Sequence, residues 1–418
     1  MKTCSWGIFL LSMLATLSAF QSPHADANPP GAPAAANPAT PHASRPEFGV
    51  LYSVWIRPGD SLATVRIRLT RNADWVRWLR LEAPADRYTA VKGSGTVTRE
   101  GTQIVWQPSG DRPALQYTVN LQSVRQSGRF DGMVTPDWGI FRADDIAPVV
   151  RVDVKDGTQS LAKLSLNLPD GWSAVTAYPE YTSGRIRIDN PRRIFDRPSG
   201  WMAIGHLGVK RERVGDTRLA IAAPKAQGVA RMDILAFFRW TLPTLQSLFP
   251  EFPERLLVVS AGDPMWRGAL SGPNSLFVHA DRPLISENGT STFLHELVHV
   301  AMRARSRPDS DWIVEGMAEY YSLEVLHRSG ALSDARFEKA HASLAKWGTE
   351  APKLDVPHSS GPVTAKAVGV LRAIDRDIRS ASKGRKSLDD VARALAATDE
   401  PVTRARFDAL VARARKGL

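Results

Sequence analysis

The chain of 418 residues contains a single cysteine, Cys4. One thiol excludes an intramolecular disulfide framework and every cysteine-based zinc module. Tyrosine is scarce as well: of seven, only Tyr320 and Tyr321 lie beyond position 181. Acidic residues are outnumbered, 43 against 54 Lys and Arg, which leaves a formal charge of +11. The basic surplus is spread along the chain, and no nucleic-acid-binding module is recognisable, so no nucleic-acid partner is expected. No apolar run reaches the roughly 20 residues that a membrane span needs. With 43% hydrophobic and 23% charged residues the composition is that of a globular protein, not of a disordered one. The length predicts two or three domains.

What is present begins at the N-terminus. Met1-Lys2 gives a basic start, 6–20 is an apolar run broken only by Gly, Ser and Thr, and Ala25-Asp26-Ala27 offers small residues at a cleavage spacing. Residues 1–27 therefore read as an export signal, which would leave with Cys4. The expectation is a periplasmic or secreted protein, with retention as an N-terminal anchor the alternative. Residues 28–46 are rich in Pro and Ala and read as a tether without a core.

Residues 47–225 carry the signature of short strands. Val65-Arg66-Ile67-Arg68-Leu69 alternates apolar and basic side chains, and 95–110 reads as a hairpin turning at Arg99-Glu100-Gly101. Runs at 115–124, 149–154, 161–168 and 185–188 continue the series. Turn signals such as Pro169-Asp170-Gly171 and Asn190-Pro191 separate them. This spacing predicts an antiparallel β-sandwich. Its tryptophans, among them Trp75, Trp78, Trp106, Trp138 and Trp172, read as packing residues.

The pattern changes over 226–418. Residues 232–248 read as an amphipathic helix kinked at Pro243 and ended by Pro250. Residues 255–260 and 275–280 read as strands, the latter as a sheet edge, and nearly everything after 291 reads as helix. Asn288-Gly289-Thr290 reads as a turn and cap rather than a glycosylation site.

The chemistry is concentrated in His295-Glu296-Leu297-Val298-His299. Residues four apart on a helix share a face, so two imidazoles can meet one zinc ion. Glu296 is placed to take a proton from an activated water instead of binding the metal. Fifteen residues separate His299 from Glu315, and Pro308 breaks the first helix while Ser310 or Asp311 starts a second. A helix–turn–helix of this length returns Glu315 to the same ion. Two imidazoles and one carboxylate with a fourth position open are the ligand set of catalytic zinc sites. Glu319, one turn beyond Glu315, is placed to accept the second ring N–H of His295 or His299.

His-Glu-Leu-Val-His at 295–299, followed by Trp-x-x-Glu-Gly-x-Ala-x-Tyr at 312–320, resembles the gluzincin metallopeptidases, which include aminopeptidase N and the bacterial glycyl aminopeptidases. The tail, Asp375-Arg376-Asp377-Ile378-Arg379 with Gly384 and Ser387-Leu388-Asp389-Asp390-Val391, is similar to the glycyl aminopeptidase-like branch. The resemblance implies an α+β multidomain chain. An N-terminal antiparallel β-sandwich would be followed by a thermolysin-like, mainly helical catalytic domain. It further implies a Zn2+ cofactor on His295, His299 and Glu315, with Glu296 as general base and a peptide or protein as substrate.

Two features depart from that family. Its Tyr-x-Lys-Gly signature, whose tyrosine steadies the oxyanion, is replaced by Thr364, with Lys366 and Ala367 in the following places. Loss of such a donor costs about 10²–10³ in turnover. His358 is the sequence's candidate for a replacement catalytic donor. The family's Gly-rich substrate-binding strand corresponds to Gly268, Ala269 and Leu270, without the acidic residue that captures a free N-terminus. Aminopeptidase and endopeptidase action therefore both stay open.

The expected function is that of an exported zinc-dependent metallopeptidase, in which a zinc-activated water and Glu296 hydrolyse peptide bonds. The alternative is a weak or inactive envelope protein that keeps the zinc site for structure or peptide binding. The Arg-rich end, Arg404-Ala405-Arg406 to Arg413-Ala414-Arg415-Lys416, offers peripheral contact with an anionic membrane surface, although a solvated helix face explains it as well.

Overall fold

The computed structural model describes residues 45–180, 184–190 and 193–418. The segment read as an export signal, with Cys4, and nearly all of the segment read as a tether lie outside the described residues. Among those described, no helix is long and apolar enough to cross a membrane.

Strict alternation builds the N-terminal half. In Glu47–Trp55 the side chains of Phe48, Val50, Tyr52 and Val54 point inward, and in Leu62–Leu69 those of Ala63, Val65, Ile67 and Leu69 do so. Arg66 and Arg68 are left on the outer face, as a period of two requires. A six-stranded sheet orders Ile186–Ile188, Gln159–Asn167, Glu47–Trp55, Leu62–Leu69, Ala114–Asn120 and Tyr88–Gly93. A four-stranded sheet orders Val150–Val154, Val76–Glu82, Gln103–Gln107 and Thr96–Glu100, the last two being the hairpin seen in the sequence. A five-stranded sheet orders Ser173–Val175, Trp201–Gly205, Trp138–Arg142, Phe130–Val134 and Ser123–Val124. Pairing in these sheets is antiparallel except between Glu47–Trp55 and Gln159–Asn167. Those two strands are far apart in sequence, which leaves their direction free.

A fourth, mixed sheet positions the site. Its order is Leu207–Val214, Thr217–Pro224, Arg255–Ala261, Ser275–His279 and Ala269–Gly272. Thr217–Pro224 and Arg255–Ala261 run parallel because helix Arg231–Leu248 carries the chain back between them. The sheet straddles position 225, where the composition changes. Ser275–His279 lies inside the sheet and is buried throughout; the edge is the short strand Ala269–Gly272. The fully apolar 276–278 run suits an interior strand better than an edge.

Both faces of the mixed sheet are covered. Leu219, Ile221, Leu256, Val258, Leu276 and Val278 pack on the helices. Ala222, Leu257, Val259 and Phe277 pack on Trp138, Ile140, Val175 and Trp201 of the five-stranded sheet. The result is a β half, antiparallel but for one pair of strands, followed by a mainly helical half. Within the latter, helices Thr292–Met302, Asp311–Arg328, Asp334–Gly348 and Pro362–Ala381 surround the residues singled out above.

Candidate metal centre

The motif helix, Thr292–Met302, begins at Ser291, whose hydroxyl accepts the Leu294 N–H at 3.4 Å. The Ser291 carbonyl also accepts the Ser322 hydroxyl at 3.1 Å, which fixes the helix start to its neighbour. Phe293, Leu294, Leu297, Val298 and Val300–Met302 are buried. Thr292, His295, Glu296 and His299 remain half-buried in one stripe, as a helical period demands. On the following helix, Asp311–Arg328, the half-buried stripe is Asp311, Glu315 and Glu319, four residues apart. Gly316 lets the helix Pro362–Ala381 approach closely: a Cβ there would stand 2.7 Å from Ala367 Cβ.

The two stripes face each other. His295 Nε2 and His299 Nε2 are 3.3 Å apart, and Glu315 Oε2 and Oε1 lie 3.4 Å from them respectively. Among the described residues these three form the one group of metal-ligating type found, with donor atoms all within 4.8 Å. Bonds of roughly 2.0–2.1 Å at tetrahedral angles would hold donors about 3.3–3.4 Å apart, so the set fits zinc. His295 Nδ1 lies 2.9 Å from Glu319 Oε2, which orients the ring and directs Nε2 at the cluster. Burial alone would raise the Glu315 carboxyl, but bonds from His295 and His299 hold it well below the usual range. Burial alone would lower His295, yet Glu315 and Glu319 push it well above its ordinary value. The cluster thus draws positive charge, as a cation site must.

His295, Glu296, Glu315 and Glu319 line a cleft of about 390 Å³. Gly268 and Ala269 form part of one wall, whereas Leu270 does not reach it. Leu270 packs on the β half instead, because alternate residues of a strand face opposite ways. The Gly268 carbonyl accepts the His279 N–H at 3.0 Å, so by alternation the backbone of Ala269 is turned to the open edge.

His358 is exposed and lies outside the cleft lining; its neighbours Ser359 and Ser360 line it in its place. Asp311 Oδ2 accepts the Ser359 N–H at 2.6 Å and pulls the loop inward at Ser359, leaving His358 outside. Thr364 lines the cleft from the first turn of Pro362–Ala381, while Lys366 turns away to donate to the Ala351 carbonyl at 2.7 Å. Tyr320 and Tyr321 are buried in the helical core, and no tyrosine among the described residues lines the cleft. Trp266, Arg282 and Trp347 also line it and were not read from the sequence. Trp347 is 45% exposed, and nothing in its local pattern separates it from an ordinary surface residue.

No protein-family profile matches the chain. No curated protein matches it either. Solved structures do. An aminopeptidase N family protein from Idiomarina loihiensis superposes with a TM-score of 0.61 at 17% identity, covering 83% of this chain and 70% of that one. A two-domain M1 zinc metallopeptidase variant, crystallised with L-arginine, gives 0.56 at 15% identity and covers 90% and 92%. The M1 zinc metallopeptidase of Deinococcus radiodurans gives 0.54 at 14% identity, also with 90% and 92%. The fold is that of the aminopeptidase N-like zinc metallopeptidases. The β half and the helical half occur together in this shared architecture.

Proposed function

We propose that the chain is an exported zinc metallopeptidase that hydrolyses peptide bonds. The observation that carries this reading is the spacing of His295, His299 and Glu315, at 3.3 and 3.4 Å, beside a carboxylate that takes no part in the cluster. That carboxylate, Glu296, lines the same cleft. Zinc, when bound, supplies a Lewis acid and lowers the pKa of water to about 7. The chain's own residues do the rest. Glu296 accepts the proton of the attacking water and returns it to the leaving amine. The outward backbone of Ala269 aligns an extended peptide by strand addition. Thr364 offers the hydroxyl nearest in kind to a missing tyrosine. The basic start and apolar run of 1–27 support export.

That no tyrosine among the described residues lines the cleft favours a second reading. In it the site holds zinc and binds peptide with little or no turnover. One experiment separates the two: zinc content and peptide-library cleavage, measured for the wild type and Glu296→Gln. Stoichiometric zinc in both, with cleavage by the wild type alone, supports the peptidase. Zinc without cleavage by either protein supports the second reading. Failure of the wild type to take up zinc would sink both.

A further inference from the structure

Away from the cleft, the mixed sheet carries four arginines on one face. Arg213 of Leu207–Val214 stands opposite Arg218 of Thr217–Pro224, and Arg218 is in register with Arg255 of Arg255–Ala261. Arg211, two residues from Arg213, shares their side of the sheet. Three guanidiniums thus begin from neighbouring strands roughly 4.8 Å apart. Like charges in directly facing positions destabilise a sheet. Burial and the neighbouring Arg218 both lower the Arg255 pKa, although Glu254 opposes them.

Little on the protein offsets this charge. Arg213 pairs with Asp216 at 3.3 Å, but both side chains are exposed and such a pair is weak. Among the described residues, no carboxylate lies within ion-pair distance of Arg211, Arg218 or Arg255. Glu212 also borders the space, yet both its oxygens are held by Arg239 on the helix side of the sheet. Glu180 is the other acidic residue at the wall. By contrast, the C-terminal helix pairs three of its four arginines within the chain: Arg404 with Asp408, Arg406 with Glu400 and Arg415 with Asp377.

The four arginines open on a cavity of about 690 Å³ whose opposite wall is Val175–Tyr178 and Glu180. That volume falls in the range of small-ligand sites, about 300–1,000 Å³. We propose that Arg211, Arg213, Arg218 and Arg255 form a binding site for a phosphoryl group, separate from the metal centre. Guanidinium forks match phosphate oxygens in pairs. A phosphoryl group carries up to about two negative charges and three acceptor oxygens, so it answers several arginines where one carboxylate answers one. The group is presented either by a soluble phosphorylated compound or by a phospholipid headgroup.

The test uses the full mature chain, the double variant Arg218→Gln/Arg255→Gln, and Arg68→Gln/Lys92→Gln as an equal charge loss on the outer face of the six-stranded sheet. Inorganic pyrophosphate is titrated by calorimetry and thermal unfolding. Flotation is run with phosphatidylcholine vesicles with and without phosphatidylglycerol. Pyrophosphate should bind the wild type and the control variant, and binding should weaken at least about tenfold in the double variant. The ligand-free Tm of the double variant should equal or exceed that of the wild type, because a repulsion has been relieved. Arginine-dependent flotation with phosphatidylglycerol identifies a lipid source; pyrophosphate binding without flotation identifies a soluble one. Equal binding by all three proteins, or no binding of either probe by the wild type, overturns the proposal.

Discussion

His295 directs its two ring nitrogens at two different carboxylates of one helix: Nδ1 lies 2.9 Å from Glu319 Oε2, and Nε2 lies 3.4 Å from Glu315 Oε2. The four-residue spacing of Glu315 and Glu319 matches the span of one imidazole. Glu319 fixes which nitrogen is free to donate its lone pair.

Glu319→Gln should therefore keep the fold and weaken zinc affinity about 10–100-fold. Competition with a chromogenic chelator measures it. Unchanged affinity would mean that the ring is held by packing alone. Glu315→Ala should have the larger effect, since it removes a donor and not an orienting group.

Gly316→Ala should destabilise the chain by about 1–3 kcal/mol in urea unfolding. The added methyl would meet Ala367 Cβ at 2.7 Å and Leu371 Cδ1 at 3.0 Å. Because Gly316 follows Glu315 directly, part of the strain should move the carboxylate, and zinc affinity should fall with stability.

His341 predicts an acid weakness. It is buried against Phe337 and Tyr320, and its Nε2 has no partner among the described residues. Burial, aided by the charge of Arg372, brings its pKa down to about 4. The unfolded chain takes up this proton near pH 6.5, whereas the folded chain refuses it until about 4. As far as His341 decides it, stability should be full above pH 6.5 and decline as the pH falls toward 4, by up to about 3 kcal/mol. The pH dependence of the urea midpoint should flatten across that window in His341→Leu; an unchanged slope would exclude His341 as the cause.

Ser291→Ala removes the hydroxyl that caps the motif helix and should cost about 1 kcal/mol. Thermal unfolding at neutral pH is the measurement. The Ser291 carbonyl still accepts from Ser322, so helix position should hold and zinc uptake should change little.

The strongest sequence signals were those with a period. Val65–Leu69 alternates and is a strand; the motif helix shows a four-residue spacing, and its histidines do face one point. Glu315 was legible because a proline and a serine mark where one helix stops and the next begins. Two placements failed for want of a period. Residues 275–280 read as an edge because the four-residue strand that covers them, Ala269–Gly272, is rich in small residues and gives no apolar pattern. His358 sits in a loop, where side-chain direction depends on a contact as distant as Asp311 to Ser359. The arginine row was hidden for a third reason. Arg213, Arg218 and Arg255 look like scattered surface charges until strand register sets them side by side.

The edge strand beside the cleft is held from behind by the N-terminal half. The Trp201 indole N–H donates to the Leu270 carbonyl at 2.8 Å, the Trp201 backbone N–H donates to Ser275 Oγ at 2.8 Å, and Arg142 donates to the Ser271 carbonyl at 3.1 Å. Leu207–Val214 and Thr217–Pro224 also lie ahead of the compositional change yet belong to the mixed sheet. A fragment starting at 226 would be missing two strands of its own scaffold and the clamp on its cleft wall. The two halves are thus not interchangeable modules, and a change on the β side should be felt at the rim of the cleft.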